Sequence, residues 1–389
     1  MSAQRVDTEV AIVGGGIVGA SAALYLRRMG LRVVLLERDL CGSRSSGVNF
    51  GGVRRQGRAL ALLPLAQRSH LLWGGLRETI GSDGEYLRSG HLKIARSPAD
   101  MDSLEAYRER TRDFDLGLQL LGREALRERC PWLGDAAVGG SLCPEDGHAN
   151  PRLVSPAIAR AAQAAGAEVH ERTEIVEARH DGHGFVLRSA GGLEVRAVHL
   201  LNCAGAWSGR LAEQFGEPVP LTGEHPAMFV TEPLPLFMNL SLGVEGGGIY
   251  ARQALRGNCV IGGGRGFTID AQRARNSQMA LTTAMRQAVH LLPPLRHALV
   301  IRSWSGTEGY LPDHLPVVGA SGTTPGLLHG FGFNGEGFQT GLGVGAVLAD
   351  LVRDGRSATP IAPLSITRFR ASPAEPAAPV PQPGDIVHP

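Results

Sequence analysis

"AIVGGGIVGASAALYLRRMGLRVVLLER", Ala11 to Arg38, decides the fold class of this chain. The run that leads into it, "TEVAIVG", is short, apolar and β-branched, as expected of a strand buried on both faces. "ASAALYLRRMG" then reads as a helix with small residues on its near face and Gly30 as its stop, and "RVVLLER" as a second buried strand. Strand, glycine turn, helix and strand make a βαβ unit with a right-handed crossover. Gly14, Gly16 and Gly19 hold the G-x-G-x-x-G places. The first permits the tight turn, the second lets a pyrophosphate approach the backbone, and the third lets helix and strand pack closely. The phosphates then meet the helix N-terminus at Ile17 and Val18, where free amides and the dipole favour negative charge. Glu37 ends the second strand 18 residues after Gly19, placed to accept a hydrogen bond from a ribose hydroxyl, with Arg38 behind it.

The bulk properties bound what surrounds this unit. At 389 residues the chain calls for two domains, or one domain split by insertions. A hydrophobic fraction of 43% and a charged fraction of 20% describe a globular chain with a large core. Net charge is +2 and the basic residues are dispersed, which argues against a nucleic-acid partner. Lys93 is the sole lysine. The five cysteines are odd in number, widely spaced and without a C-x-x-C pair, which argues against a disulfide framework and a zinc site and fits a reducing cytoplasm. The thirteen histidines lack metal-ligand spacing, so no metal is expected and His91, His225 and His329 read as structural. Acidic residues precede the first apolar run, so no signal peptide is expected. No stretch reaches the roughly 18 to 20 apolar residues of a membrane helix. Peripheral contact with the inner face of a membrane and self-association stay open.

Farther along, Ser43 to Gly57 is loop-like, "RALALLPLAQRSHLLWGGLRETIG" is helical, "SGHLKIA" is a strand, and residues 98–130 are charged and helical. "SPAIARAAQAAGAEVH" reads as a helix capped by Ser155 and ended by Gly166. Successive strands lead to the glycine turn of "NCAGAW". Residues 220–300 are strand-rich, then helical. "GLLHGFGFNGEGFQTGLGVGAVLADLVRDG" gives a strand, a glycine loop and a final helix. The tail from Ala371 is rich in Pro and Ala and is expected to be disordered.

Four segments together resemble the D-amino-acid oxidase (DAO) superfamily of FAD-dependent oxidoreductases, in the branch of sarcosine and glycine oxidases and related opine dehydrogenases. They are the N-terminal unit, "LLNCAGAWSGRL" (Leu200–Leu211), "IRSWSGTEGYLPDHLPVVG" (Ile301–Gly319), and "GFNGEGFQTGLGVGAVLADL" (Gly332–Leu351) with "PLSITRF" behind it. The resemblance implies an α/β, two-domain fold: a Rossmann-like FAD-binding domain of the glutathione-reductase type with an inserted antiparallel sheet that binds substrate. The FAD-binding domain would take residues 1–85, 148–220 and 300–370, the substrate domain 86–147 and 221–299, and the tail 371–389.

The resemblance also assigns residues. Glu37 would hold the FAD ribose, and Ser45 and Ser46 would lie near the pyrophosphate. The Val176 backbone would lie beside the adenine, and Cys203, Ala204, Gly205 and Trp207 would pass under the flavin side. Gly306, Gly332 and Asn334 would flank the ring. Gly335, Glu336, Gly337, Phe338 and Gln339 would offer backbone amides to the ring edge where reduced flavin gathers negative charge. Noncovalent FAD is implied, because Ser45 and Ser46 stand where some members carry a flavin-linking His and residues 301–345 hold no Cys. "IGGGRGF" (Ile261–Phe267) lacks the third glycine of a second dinucleotide site, and "GDAA" (Gly134–Ala137) lies too early for the ribityl motif of related hydroxylases.

The implied reaction takes a hydride from the carbon beside the nitrogen of an amino acid or secondary amine, giving an imine that water hydrolyses. A guanidinium would fix the substrate carboxylate bidentately. Where glycine-oxidase-like members carry an Arg after "W-x-G", this chain has Glu308; the loop "GGVRRQGR" offers Arg54 or Arg55 instead, with Gln339 assisting. Tyr250 reads as a pocket wall. Glu308 and Glu336 would receive a cationic group on an opine-, arginine- or polyamine-like substrate, or neutralise Arg54 and Arg55. Val260 or Ile261 stands where sarcosine oxidases place an oxygen-activating lysine, which favours a dehydrogenase passing electrons to a quinone or partner over use of O2. A 2-hydroxy-acid dehydrogenase and the catalytic component of a multi-chain amine dehydrogenase are the alternatives.

Overall fold

The strand Arg5–Val13 runs through the centre of an eight-stranded sheet, and Val10, Ala11 and Ile12 are wholly buried. This computed structural model describes residues 4–270 and 272–370; the tail expected to be disordered lies outside them. Arg5–Val13 pairs in parallel with Val33–Leu36 on one side and Glu194–Asn202 on the other. Glu168–His170 and Leu327–Phe331 extend the parallel run outward, and Val317–Ala320 closes it antiparallel. Ile175–His180 and Phe185–Ser189 form a meander against Glu194–Asn202. Continuous apolar strands suit such a sheet, because helices cover it.

Glycines set how closely those helices approach. A Cβ at Gly19 in the first helix (Ile17–Arg28) would stand 2.0 Å from the Gly14 carbonyl oxygen, which is the packing role the motif assigns it. On the final helix (Gly337–Asp354), a Cβ at Gly341 would meet Ile17 at 2.6 Å and one at Gly345 would meet Ser21 at 2.5 Å. The two helices that open the dinucleotide site are thus pressed together at an i, i+4 glycine pair. Trp73, on the helix Leu63–Gly74, is fully buried, packs its ring on Phe338 and donates Nε1–H to the Gln339 carbonyl at 2.8 Å. Truncating it to Ala would cost about 3–5 kcal/mol.

The helix expected to start at Ser155 begins earlier. It spans Pro151–Ala164, and Asn150 caps it by accepting from the Arg152 amide at 3.1 Å. Ser155 is buried inside it, its hydroxyl donating to the Ser46 carbonyl, so the Ser-Pro signal marks a helix interior whose proline falls in the first turns. A second eight-stranded sheet, from Val300–Ser305 at one edge to Gln119–Gly122 at the other, is antiparallel at every neighbouring pair except Ser241–Val244 with His91–Ala95. The helix Gln278–Leu291 packs on it through Ala284, Ala288 and Leu291 against Phe229 and Ile261. "IGGGRGF" lies in a strand of this sheet (Asn258–Arg265) and its exit, and Gly134 of "GDAA" packs on the His290 carbonyl.

Candidate active site

A cleft of about 360 Å³ runs between the two glycine turns. Gly14, Gly16, Ile17 and Val18 line it from the first turn, and Glu37, Arg38, Ser45 and Ser46 from the second strand and its loop. Val176 closes the outer end. Cys203, Ala204, Gly205 and Trp207 form one wall, and Gly332, Asn334, Gly335, Gly337 and Phe338 the inner end. Gly19 is not in the lining, because its place is helix packing. Gly306 is not either: a Cβ there would strike Val48 at 2.5 Å, and Glu308 and Gly309 reach the cleft in its stead. Arg54, Arg55, Tyr250, Glu336 and Gln339 also lie outside the lining.

Local chemistry explains the shape. The Glu37 carboxylate accepts from the Gly15 amide at 2.7 Å and the Asp39 amide at 2.9 Å, which holds it rigidly at the strand end. Gly15, a variable place in the motif, has no room for a Cβ, which would stand 2.5 Å from Cys41 Sγ. The Ser46 hydroxyl accepts from the Ile17 amide at 2.9 Å, so one donor of the first helix is taken and its neighbours face the cleft. Arg38 stacks over Trp207 with its guanidinium carbon 3.7 Å from the ring centre. At the inner end Asn334 is left-handed (φ 49°), and its amide group bonds both the amide and the carbonyl of Leu311. That brace fixes the turn from which the N-terminus of the final helix opens on the cleft.

Glu308 differs from these. It sits on the short strand Glu308–Tyr310, paired with Thr222–Glu224, and borders the inner cleft. Its Oε2 is buried without a hydrogen-bond partner, and burial pushes the carboxyl up to about 7. A Cβ on Gly335 would lie 3.6 Å from that oxygen and 3.3 Å from the Tyr310 hydroxyl, so both groups converge on the glycine turn. Tyr250 packs edge-on to Phe50 at 4.9 Å and over Gly262, where any Cβ would collide with its ring at 1.9 Å. Burial and then Glu308 push its phenol up, while Arg54 pulls the other way, so the hydroxyl senses both groups.

The two arginines expected as alternative anchors are not equivalent. Arg55 is 3% exposed and locked: its guanidinium bonds Gln67 at 2.6 Å and pairs with Asp146 at 3.5 Å. Its guanidinium is thereby tied to two partners within the fold. Arg54 is freer, with its side chain 31% exposed, a bond to the Gln56 carbonyl and Glu336 at 4.0 Å. Glu336 is held at 2.6 Å by Arg58, a cation four places beyond Arg54 that no motif marks. The sole lysine, Lys93, reaches this loop from the second sheet, pairing with Glu245 and lying 3.5 Å from where a Cβ on Gly57 would stand. Gln339 cannot assist an anchor. It is 1% exposed, its amide nitrogen donates to the Ala66 carbonyl at 2.8 Å, and it faces the helix Leu63–Gly74.

His91, His225 and His329 each carry hydrogen bonds within the fold. The five cysteines are buried and free, and among the described residues no His/Cys/Asp/Glu group could hold a metal. Among the described residues no helix is long and apolar enough to cross a membrane.

Comparison with known proteins agrees with this geometry. The family model described as DAO, FAD dependent oxidoreductase, matches residues 9–351. The chain is 30% identical to glycine oxidase of Geobacillus kaustophilus (strain HTA426), covering 92% of this chain and 97% of the relative. It is 29% identical to one component of the opine oxidase of Rhizobium meliloti, covering 95% of this chain and 100% of that relative. The crystal structure of the Geobacillus kaustophilus glycine oxidase superposes with a TM-score of 0.86 at 28% identity, over 93% of this chain and 99% of that one.

Proposed function

The chain belongs to the DAO family of FAD-dependent oxidoreductases, and we propose on that premise that it oxidises the C–N bond of an amino acid or secondary amine. The observation that carries this reading is the cleft itself, which joins the first glycine turn to the last and ends at Glu308 and the Gly335 turn. Its residues fit FAD. Two helix N-termini open into it, one for a diphosphate and one for a ring that gains negative charge, and Glu37 stands ready for a ribose hydroxyl. Bound there, FAD supplies the two-electron acceptor. We take the binding as noncovalent, since the cleft is lined by Ser45 and Ser46 after the second strand and by Cys203, whose thiol burial raises to about 12.

The chain's own residues do the rest. Arg54 holds the substrate carboxylate, Tyr250 walls the pocket, and the Gly335 turn orients the amine carbon and excludes water. We assign residues 4–85, 148–220 and 306–370 to the FAD-binding part, and residues 86–147, 221–270 and 272–299 with Val300–Ser305 of the second sheet to the substrate part. Electrons pass to a quinone or a protein partner in the cytoplasm, in keeping with the aliphatic Val260 and Ile261.

Anaerobic mixing of the FAD-loaded protein with glycine, sarcosine, L-proline and iminodiacetate tests this. At least one should bleach the flavin, with air restoring the colour slowly and a quinone quickly. Fast recovery in air would make it an oxidase, and no bleaching by any amine would sink the reading.

A further inference from the structure

We propose that Glu308 receives the substrate's ammonium group and takes its proton. The proposal deepens the amine-oxidising reading and rests on it. The carboxyl stands where the cleft ends, and its Oε2 is buried with no partner. An orphaned oxygen of this kind is rare in a settled fold and costs stability unless a ligand completes it.

Every element packed around Glu308 has its charge spoken for or carries none. On its own strand, Tyr310 holds a phenol that burial raises far above neutrality. On the paired strand, Glu224 lies opposite and is tied to Arg265. His225 beside it bonds Thr268 and the Gly306–Thr307 segment. From the second sheet comes Tyr250, neutral for the same reason as Tyr310. Beyond the glycine turn, Glu336 is paired with Arg58. Among the described residues no ion pair includes Glu308. The missing cation is therefore one that a ligand brings, and an α-amino acid brings it beside a carboxylate. Arg54, whose charge like that of Glu308 is felt at the Tyr250 hydroxyl, is assigned that carboxylate.

The chemistry requires the proton to leave. An ammonium nitrogen has no lone pair to expel a hydride from the adjacent carbon. In the proposed step the ammonium N–H bond breaks, its electron pair stays on nitrogen, and an O–H bond forms at Oε2. The amine is then neutral and its C–H electron pair is free to pass to oxidised FAD. A carboxyl raised to about 7 suits this transfer at neutral pH better than an ordinary one.

The test compares the full-length, FAD-loaded wild type with Glu308→Gln and Glu308→Asp, using whichever of glycine, sarcosine, L-proline and iminodiacetate bleaches the wild type fastest. The limiting rate of anaerobic reduction is followed from about pH 6 to about pH 10. The wild type should show a limb near pH 7. Glu308→Gln should reduce about 100-fold more slowly at neutral pH, with the gap narrowing as rising pH delivers substrate already neutral. Glu308→Asp should keep the limb at a lower rate. Infrared difference spectra give a readout free of turnover: a protonated-carboxyl band that titrates near pH 7 and vanishes in Glu308→Gln. A variant with the wild-type rate and limb overturns the proposal alone, as does a loss of equal size at every pH or an unchanged infrared band. A wild type bleached by none of the four amines overturns the proposal together with the reading it rests on.

Discussion

Two glutamates of this protein, one wholly buried and one with a buried oxygen, live under opposite conditions. Glu217, 2% exposed, accepts from His329 Nε2 at 2.9 Å, Ser321 at 2.6 Å, the Gly322 amide at 2.8 Å and Arg370 at 2.8 Å. Burial by itself would raise its carboxyl, but the hydrogen bonds from His329, Ser321 and Gly322 outweigh it and hold the group down at about 2. Glu308 has burial without the donors, and rises to about 7. The difference teaches what a buried carboxylate is for. Glu217 ties the segment ending at Arg370 to the strand Leu327–Phe331, which carries the last glycine turn; its work is finished when the chain folds. Glu308 is left incomplete by the fold, at the end of a cleft, and is held there by the stability of everything else.

The largest expected effect falls on the completed site. Glu217→Gln leaves His329 and Arg370 without their anion and should cost about 3 kcal/mol in denaturant unfolding at neutral pH. Because the folded carboxyl lies below its ordinary 4.5, this stabilisation is present above that value and lost as pH falls towards 2. The gap between variant and wild type should therefore close on acidification, and a gap of equal size at low and neutral pH would break the comparison.

The effect at the incomplete site is no larger and opposite in sign. The folded Glu308 carboxyl lies above its ordinary 4.5, so the unfolded chain gives up its proton first and the native state loses stability as pH rises from 4.5 through 7. Without substrate, Glu308→Gln should match the wild type below pH 4.5 and exceed it above pH 7 by up to about 3 kcal/mol. Thermal unfolding across that range checks it. A destabilised variant at every pH would mean that Glu308 has structural partners after all.

The sequence showed much of this, unevenly. The glycine turns and Glu37 were legible because backbone geometry dictates them: only glycine permits the approach of Gly14 to Cys203, where a Cβ would stand 2.2 Å from the carbonyl oxygen. The start of the helix at Pro151 was hidden because Asn150, in a loop-like stretch, caps it in place of Ser155. The choice between Arg54 and Arg55 was not legible, because the partner that removes Arg55 from contention is Asp146, 91 places away. Gln339 misled for a similar reason. A helix residue one place from the cleft-lining Phe338 points about 100° away from it, and only the packed Ala66 backbone reveals where. Glu308 and Glu336 looked alike in sequence, and Arg58 separates them.

The most direct measurement offers the FAD-loaded protein matched pairs that differ only in nitrogen for oxygen, such as glycine with glycolate and alanine with lactate, and follows anaerobic bleaching of the flavin. The amines should bleach it and their hydroxy counterparts should fail by at least about 100-fold, because a neutral hydroxyl brings no cation to Glu308. Bleaching by glycolate or lactate at rates equal to or above those of the amines would contradict the account and make this chain a hydroxy-acid dehydrogenase.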